Sequence, residues 1–360
     1  MNIKSLLLGS AAALAAVSGA QAADAIVAAE PEPMEYVRVC DAFGTGYFYI
    51  PGTETCLKIG GYVRFQTNFG RDQSGTSDWD TFTRGQLQFD AKNDTELGTL
   101  ESVIVLQTNA DEAGGNDSDN DNDRTFLDTA SFAIAGFKFG YYYSWWDDGI
   151  AGETDALATN TLFNSISYTY DGGAFKAGIS VDELEGLGRD LAFARSAPND
   201  FGRHDNGVGV AAMVSGSVGG VTATLLGGYD TEREEGAVRA ILTAEVGPGT
   251  FALAGVYASN PNVYYNESEW TVAASYEFKA TDKLTITPAA QYFGDFGFYN
   301  GVDAWRVGLT AGYQITDGLK ALATVQYQDV DDGDFTRNGV VVSSVGGDET
   351  TGFLRLQRDF

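Results

Sequence analysis

From residue 57 onward, apolar and polar side chains take alternate positions along the chain. Leu57, Ile59, Val63, Phe65 and Phe69 share one parity, while Lys58, Tyr62, Arg64, Gln66 and Asn68 take the other. Near the C-terminus Leu354, Leu356 and Phe360 oppose Arg355, Gln357 and Asp359 in the same way. A period of two belongs to a strand with one greasy and one wet face, because successive Cβ atoms leave opposite sides of a pleated backbone. Sixteen such segments follow one another, at 57–69, 79–92, 97–109, 125–135, 137–146, 163–170, 174–183, 206–218, 220–230, 236–247, 249–259, 268–279, 282–293, 302–315, 318–329 and 350–360. Pro288 removes a ladder donor inside the thirteenth, which predicts a bulge or a shorter strand there.

The connections between segments alternate in length. Long ones fall near 70–78, 110–124, 147–162, 184–205, 231–235, 260–267, 294–301 and 330–349, separated by tight links such as Asp171-Gly172-Gly173, Val218-Gly219-Gly220 and Thr316-Asp317-Gly318. An even number of antiparallel strands, with long loops at one end and short turns at the other, is the pattern of a closed transmembrane β-barrel. A soluble sandwich also alternates, but it predicts neither polar faces so consistently charged nor loops sorted by end. Aromatic residues near strand ends fit two interfacial girdles: Tyr141, Tyr142, Tyr143, Trp145 and Trp146 close the fifth segment, and Tyr168, Tyr170, Tyr229, Tyr257, Trp270, Tyr276, Phe278, Tyr292, Tyr313 and Tyr327 stand near other ends.

The remainder of the chain fits export to such a membrane. Residues 1–22 carry Lys4, an apolar run from Leu6 to Val17 and the small-x-small ending Ala20-Gln21-Ala22, the pattern of a cleaved signal peptide. Residues 23–56 form an N-terminal segment before the barrel, 57–360. Export permits a disulfide between the only two cysteines, Cys40 and Cys56, and pairing is expected; two separately buried thiols are the alternative. The longest uncharged stretch, 206–229, is long enough for a membrane helix, but its seven glycines and two alternating runs read as a hairpin. With 50 acidic against 22 basic residues, a net charge of −28, the chain has no basic stripe for phosphodiester backbones, so nucleic acid is excluded as a partner. Mean hydropathy of −0.14 averages a lipid face and a water face.

A closed barrel of sixteen strands is too wide for its own side chains to fill and encloses an aqueous channel. Lys58, Arg64, Arg84, Lys176, Arg239, Arg306, Lys320 and Arg355 lie on the polar parity and form a candidate basic wall. Asp147, Asp148, Glu153 and Asp155 crowd the third long loop. Folded into the lumen, that loop would set carboxylates against guanidinium groups across the narrowest point, a filter for size and charge.

Residues 36–65, YVRVCDAFGTGYFYIPGTETCLKIGGYVRF, closely resemble the mature N-terminal region of the alphaproteobacterial general porins of rhizobial and Brucella type, both cysteines included. Phe360 resembles the terminal aromatic residue that outer-membrane assembly machinery recognises. The resemblance implies a homotrimer of sixteen-stranded barrels in the outer membrane, each with its third loop in the lumen, passing small hydrophilic solutes by diffusion. It also implies that Asp147, Asp148, Glu153 and Asp155 face Arg64, Arg84 and Arg355.

Other sites are weaker. Asp117, Asp119, Asp121 and Asp123 have the alternate-oxygen spacing of a calcium loop, with Asp128 at the last ligand position, but Asn122 replaces the required glycine and no helices flank it, so a solvated acidic loop is the better reading. No cofactor is expected beyond divalent cations bridging acidic outer loops to lipopolysaccharide. His204 beside Asp205 offers a base with an orienting carboxylate, yet a lone loop histidine is ordinarily only that, and no enzyme is expected. A substrate-specific channel shares every feature above, and a secreted lectin or adhesin remains the soluble alternative.

Overall fold

A computed structural model describes residues 38–70, 79–110, 125–184, 207–337 and 340–360. Val39–Phe360 forms one compact unit, and the description below concerns it. A two-residue strand, β1 (Phe48–Tyr49), precedes the wall. The wall strands are β2 (Cys56–Phe69), β3 (Trp79–Thr95), β4 (Gly98–Ala110), β5 (Thr125–Ile134), β6 (Phe137–Tyr143), β7 (Leu162–Asp171), β8 (Phe175–Glu183), β9 (Val208–Val218), β10 (Val221–Asp230), β11 (Glu235–Val246), β12 (Gly249–Ala258), β13 (Ser268–Lys279), β14 (Leu284–Phe296), β15 (Ala304–Thr316), β16 (Leu319–Arg337) and β17 (Val340–Asp359). Among the described residues these sixteen are antiparallel to their sequence neighbours, and β17 closes on β2 with Asp359 opposite Tyr62 and Gly352 opposite Phe69. The Phe360 backbone completes the seam, exchanging two hydrogen bonds with Gly61. Closure leaves the sixteen wall strands, among the described residues, without a free edge, the condition for backbone polar groups to survive in lipid.

The alternation read from the sequence separates the two faces. Phe65, Ile104, Ile166, Val238, Val272, Val307 and Leu354 are exposed on the outside, while their neighbours of opposite parity, Arg64, Gln107, Ser165, Arg239, Thr271, Arg306 and Arg355, make polar contacts inside. The Gly219-Gly220 turn shows why glycine falls at the tight end: both residues have positive φ, 61° and 81°, as the right-handed twist of a two-residue hairpin demands.

Three local expectations change. Pro288 neither bulges nor shortens its strand; it pairs with Leu309 on one side. On the other side the ladder skips Thr287 and Pro288 but keeps register, from Ser275 opposite Ala289 to Phe278 opposite Ile286. The missing N–H is absorbed as an unmade rung. Secondly, 330–349 is largely ladder rather than open loop, since β16 and β17 run on to Arg337 and Val340 with two register shifts. Thirdly, β6 ends at Tyr143, and Trp145–Asp147 form a 3-10 turn. Tyr142 and Trp146 are buried, at 5% and 1% exposure, and so leave the outer girdle; Tyr142 donates to Ser167 Oγ at 2.7 Å.

At the short-turn end Cys40 and Cys56 form the disulfide, with Cα atoms 5.9 Å apart. They pack with Tyr47, whose ring lies 5.9 Å from the Lys58 amine and 5.7 Å from that of Lys92. Among the described residues no helix is long and apolar enough to cross a membrane.

Candidate functional site

The segment joining β6 to β7 is pinned at its base, where Ser144 N donates to Thr161 O at 2.7 Å and Ser144 Oγ accepts from Trp146 N. From there it reaches distant parts of the wall. Ala156 exchanges two hydrogen bonds with Gln291 of β14, N to Oε1 at 2.7 Å and Nε2 to O at 2.9 Å. Glu153 N donates to Thr310 Oγ1 of β15, and Arg306 Nη1 donates to Thr154 O. Strand β14 is eight places from β6, half-way round a wall of sixteen, so the segment can meet it only across the barrel interior.

Arg239 of β11 is the strongest tether. Its Nη1 donates to Trp146 O at 2.8 Å and to Leu157 O, and its Nη2 donates to Trp145 O at 2.6 Å, leaving the side chain 2% exposed. The guanidinium also lies 5.1 Å from the Trp146 ring. A buried cation needs compensating charge, and Asp148, Asp155 and Asp147 supply it. Arg239 and Arg306 were expected to line water as free wall charges; instead they hold this segment in place.

The four acids divide as well. Asp147 and Glu153 are exposed; Asp148 is exposed as a residue but its carboxyl group is partly withdrawn from water, and Asp155 is half-buried and accepts backbone hydrogen bonds from Ile150 and from its own N–H. Burial pushes both the Asp155 and Asp148 carboxyls up; Arg239 opposes the shift in each, and Asp147 adds to it at Asp148. Glu153 Oε1 stands 3.7 Å from Arg355 Nη1. Arg64 and Arg84, directly opposite one another on β2 and β3, complete a basic group with Arg355. Lys176 and Lys320 sit by the short turns, each in an ion pair, with Asp171 at 2.9 Å and Asp359 at 3.0 Å. Lys58 faces Tyr47 near the N-terminal segment.

Sequence reasoning missed a second inward loop, 260–267. Asn262, Val263, Tyr264 and Tyr265 are all at most 2% exposed. Asn262 Oδ1 accepts from the backbone N–H groups of Tyr264 and Tyr265, fixing a tight turn. That turn clamps the first segment: Thr159 N donates to Tyr264 O, and Asn160 Nδ2 to Val263 O. The Tyr264 ring stacks on Trp146 at 5.4 Å, and its hydroxyl donates to Asp182 at 2.7 Å; the same carboxylate accepts from Ser165 and Ser180. Inward glycines make the room. A Cβ at Gly209 or Gly228 would strike Tyr264, and one at Gly178 would strike the Trp145 ring. The available signal was glycine at inward parity on β8, β9 and β10, which tight turns do not explain.

Asp117, Asp119, Asp121, Asp123 and His204 lie outside the described residues. Among the described residues no group of three or more His, Cys, Asp or Glu is arranged to hold a metal ion.

A family model described as "Porin subfamily" matches residues 24–353. The chain is 56% identical to a putative outer membrane protein, y4fJ, of Sinorhizobium fredii across 100% of this chain and 99% of that protein. It is 52% identical to outer membrane protein IIIA of Rhizobium leguminosarum bv. viciae (96% and 94%) and 37% identical to porin Omp2a of Brucella ovis (91% and 98%). Among solved structures, the outer-membrane channel DcaP of Acinetobacter baumannii superposes with a TM-score of 0.63 at 14% identity, covering 87% of this chain and 99% of that one. OmpT of Vibrio cholerae, in its trimer form, gives 0.60 at 12% identity, covering 86% and 100%. At such identities the structural likeness establishes the fold.

Proposed function

We propose a specific route through the lumen for this chain, which belongs to the porin subfamily and is an outer-membrane porin, a water-filled diffusion channel for small hydrophilic solutes and ions. The passage runs beside β2, β3 and β15–β17, and residues 144–161 form its constriction. Asp147, Asp148 and Glu153 supply the negative side; Arg64, Arg84 and Arg355 supply the positive side. The observation that carries this reading is the approach of Glu153 to Arg355 from a segment bonded half-way round the wall. Opposed charges across a narrow aqueous opening set a transverse field that orders water and sorts solutes by size and dipole as well as by net charge.

The chain would act as a homotrimer after removal of residues 1–22, with Phe360 serving as the assembly signal and divalent cations bridging its acidic outer loops to lipopolysaccharide. Planar-bilayer recording of the purified protein tests the channel: stepwise openings in groups of three are expected, and folded protein that conducts no ions contradicts it. Chelation should lower trimer stability and lipid retention, and no change in either would remove the cation bridge.

A further inference from the structure

Three inward-facing arginines on adjacent strands repeat one local device. Tyr62, Phe82 and Phe353 stand two residues before Arg64, Arg84 and Arg355, on the same face. Each ring lies against its guanidinium, 4.7, 5.6 and 4.3 Å from the centroid. Each Nε donates to a neutral amide oxygen on the neighbouring strand: Arg64 to Gln357 at 2.8 Å, Arg84 to Asn109 at 2.7 Å, Arg355 to Gln66 at 2.6 Å. Two of those amides are themselves oriented, because Gln357 Nε2 donates to Asp359 and Gln66 Nε2 donates to Asn68, leaving each Oε1 turned to its arginine.

A guanidinium held on its face by a ring and at its Nε by an amide keeps its two Nη groups for a further partner. Among the described residues the Nη groups of Arg64 and Arg84 have no hydrogen-bond partner, and Arg355 has only Glu153 at 3.7 Å. Arg306 has a ring and an amide as well, but its Nη groups are taken up by Thr154 O and Gln328, and three lysines of the wall are neutralised instead. Lys92, Lys176 and Lys320 each stand within about 3 Å of a carboxylate, at 2.9, 2.9 and 3.0 Å. Arg64 and Arg84 are also directly opposite one another, a pairing of like charges that costs free energy unless something negative lies between. Beside them the wall has a concavity of about 530 Å³, whose charged lining is Arg64, Arg355, Lys320 and Lys283 against the single carboxylate of Asp282.

We infer that Arg355, Arg64 and Arg84 form a preorganised track for small multivalent oxyanions, groups whose paired oxygens match the guanidinium fork. The inference rests on the passage proposed above and names a solute class for it. An oxyanion binds two or more forks at once, is held briefly, and so slows the chloride that shares the path.

The test is planar-bilayer recording of the whole protein in potassium chloride, titrated with phosphate in one arm and malonate in the other. Block in either arm supports the track, and the arm that blocks tells whether it prefers tetrahedral or planar groups. Saturable reduction of single-channel current is expected, with the half-blocking concentration raised about tenfold in Arg64→Lys or Arg84→Lys, because lysine keeps the charge and loses the fork. Chloride current with no block, or block equal in the Lys variants and the parent, overturns the track alone; absence of any current overturns the passage with it.

Discussion

The two halves of the lumen are built from opposite materials. On β8–β13 many inward positions are small, including Gly178, Gly209, Ala211, Gly228, Ala237, Ala252, Ala254 and Ala273, and the buried charges among them, Asp182 and Arg239, are bonded to the loops whose aromatics press on this face. On β2–β4 and β15–β17 they are long and polar: Arg64, Gln66, Arg84, Gln86, Gln107, Arg306, Gln326, Arg355 and Gln357. The first half is packed like a protein core and the second is wetted. The difference teaches that a wide barrel need not be an evenly open one. Where the wall is cut back to glycine and alanine, the loops fill it, and the passage we propose lies on the side of the arginines.

Breaking the packed half should have the largest effect. Arg239→Ala removes three hydrogen bonds to the carbonyls of Trp145, Trp146 and Leu157 and strips the counter-charge from Asp147, Asp148 and Asp155. A cost of about 3–5 kcal/mol is expected for an interaction of this kind, enough to release the segment. Single-channel conductance should rise and become noisy, measured alongside thermal unfolding in detergent. Gly228→Val attacks the same region through shape. Its side chain would occupy the site of the Tyr264 ring, at about 1–3 kcal/mol for overpacking, and the expected readout is again a larger, noisier conductance, with Gly228→Ala intermediate.

Changes to the loop acids should alter selectivity. Replacing Asp147 and Asp148 together with Asn moves the reversal potential under a salt gradient toward anions and, because both also compensate the buried Arg239, lowers stability, by less than the loss of Arg239 itself; an unmoved potential removes both from the constriction. The smallest effect is a pH shift. Burial disfavours the charged form of Asp148, so it takes up its proton at a higher pH than a free aspartate, whose pKa is about 3.9. Asp155 on the same segment is raised in the same direction, so as pH falls both give up negative charge before an ordinary aspartate would. Anion preference should therefore begin to rise above the usual carboxylate range, and Asp148→Asn should reduce that early step.

The wall was legible because lipid and water impose a period of two that no local packing overrides. Strand limits agree within a few residues except where β16 and β17 extend past the rim. The stretch 206–229 shows both what could be read and what could not. Its hairpin was plain, yet its lack of charge had a cause invisible in the sequence: the inward face, Gly209, Ala211, Met213, Leu226 and Gly228, is covered by Tyr264 and its neighbours. Loop destinations follow from contacts across the barrel, and nothing local in 144–161 or 260–267 encodes them. For the same reason parity named Arg239 and Arg355 alike as inward bases but could not tell the buried tether from the arginine facing Glu153. The aromatic-x-arginine repeats on β2, β3 and β17 were present in the sequence, but their meaning depends on three strands meeting at the closure seam.

Thiol modification during single-channel recording addresses the uneven lumen most directly, since Cys40 and Cys56 are joined and leave an introduced cysteine as the only free thiol. Gln86→Cys places it on the wet side next to Arg84, and Ala252→Cys places it in the packed half, where the native residue is 3% exposed. A bulky water-soluble thiol reagent should reduce the current in three steps at position 86 and leave position 252 unmodified. Rapid block at 252, or none at 86, would contradict a passage displaced to the arginine side.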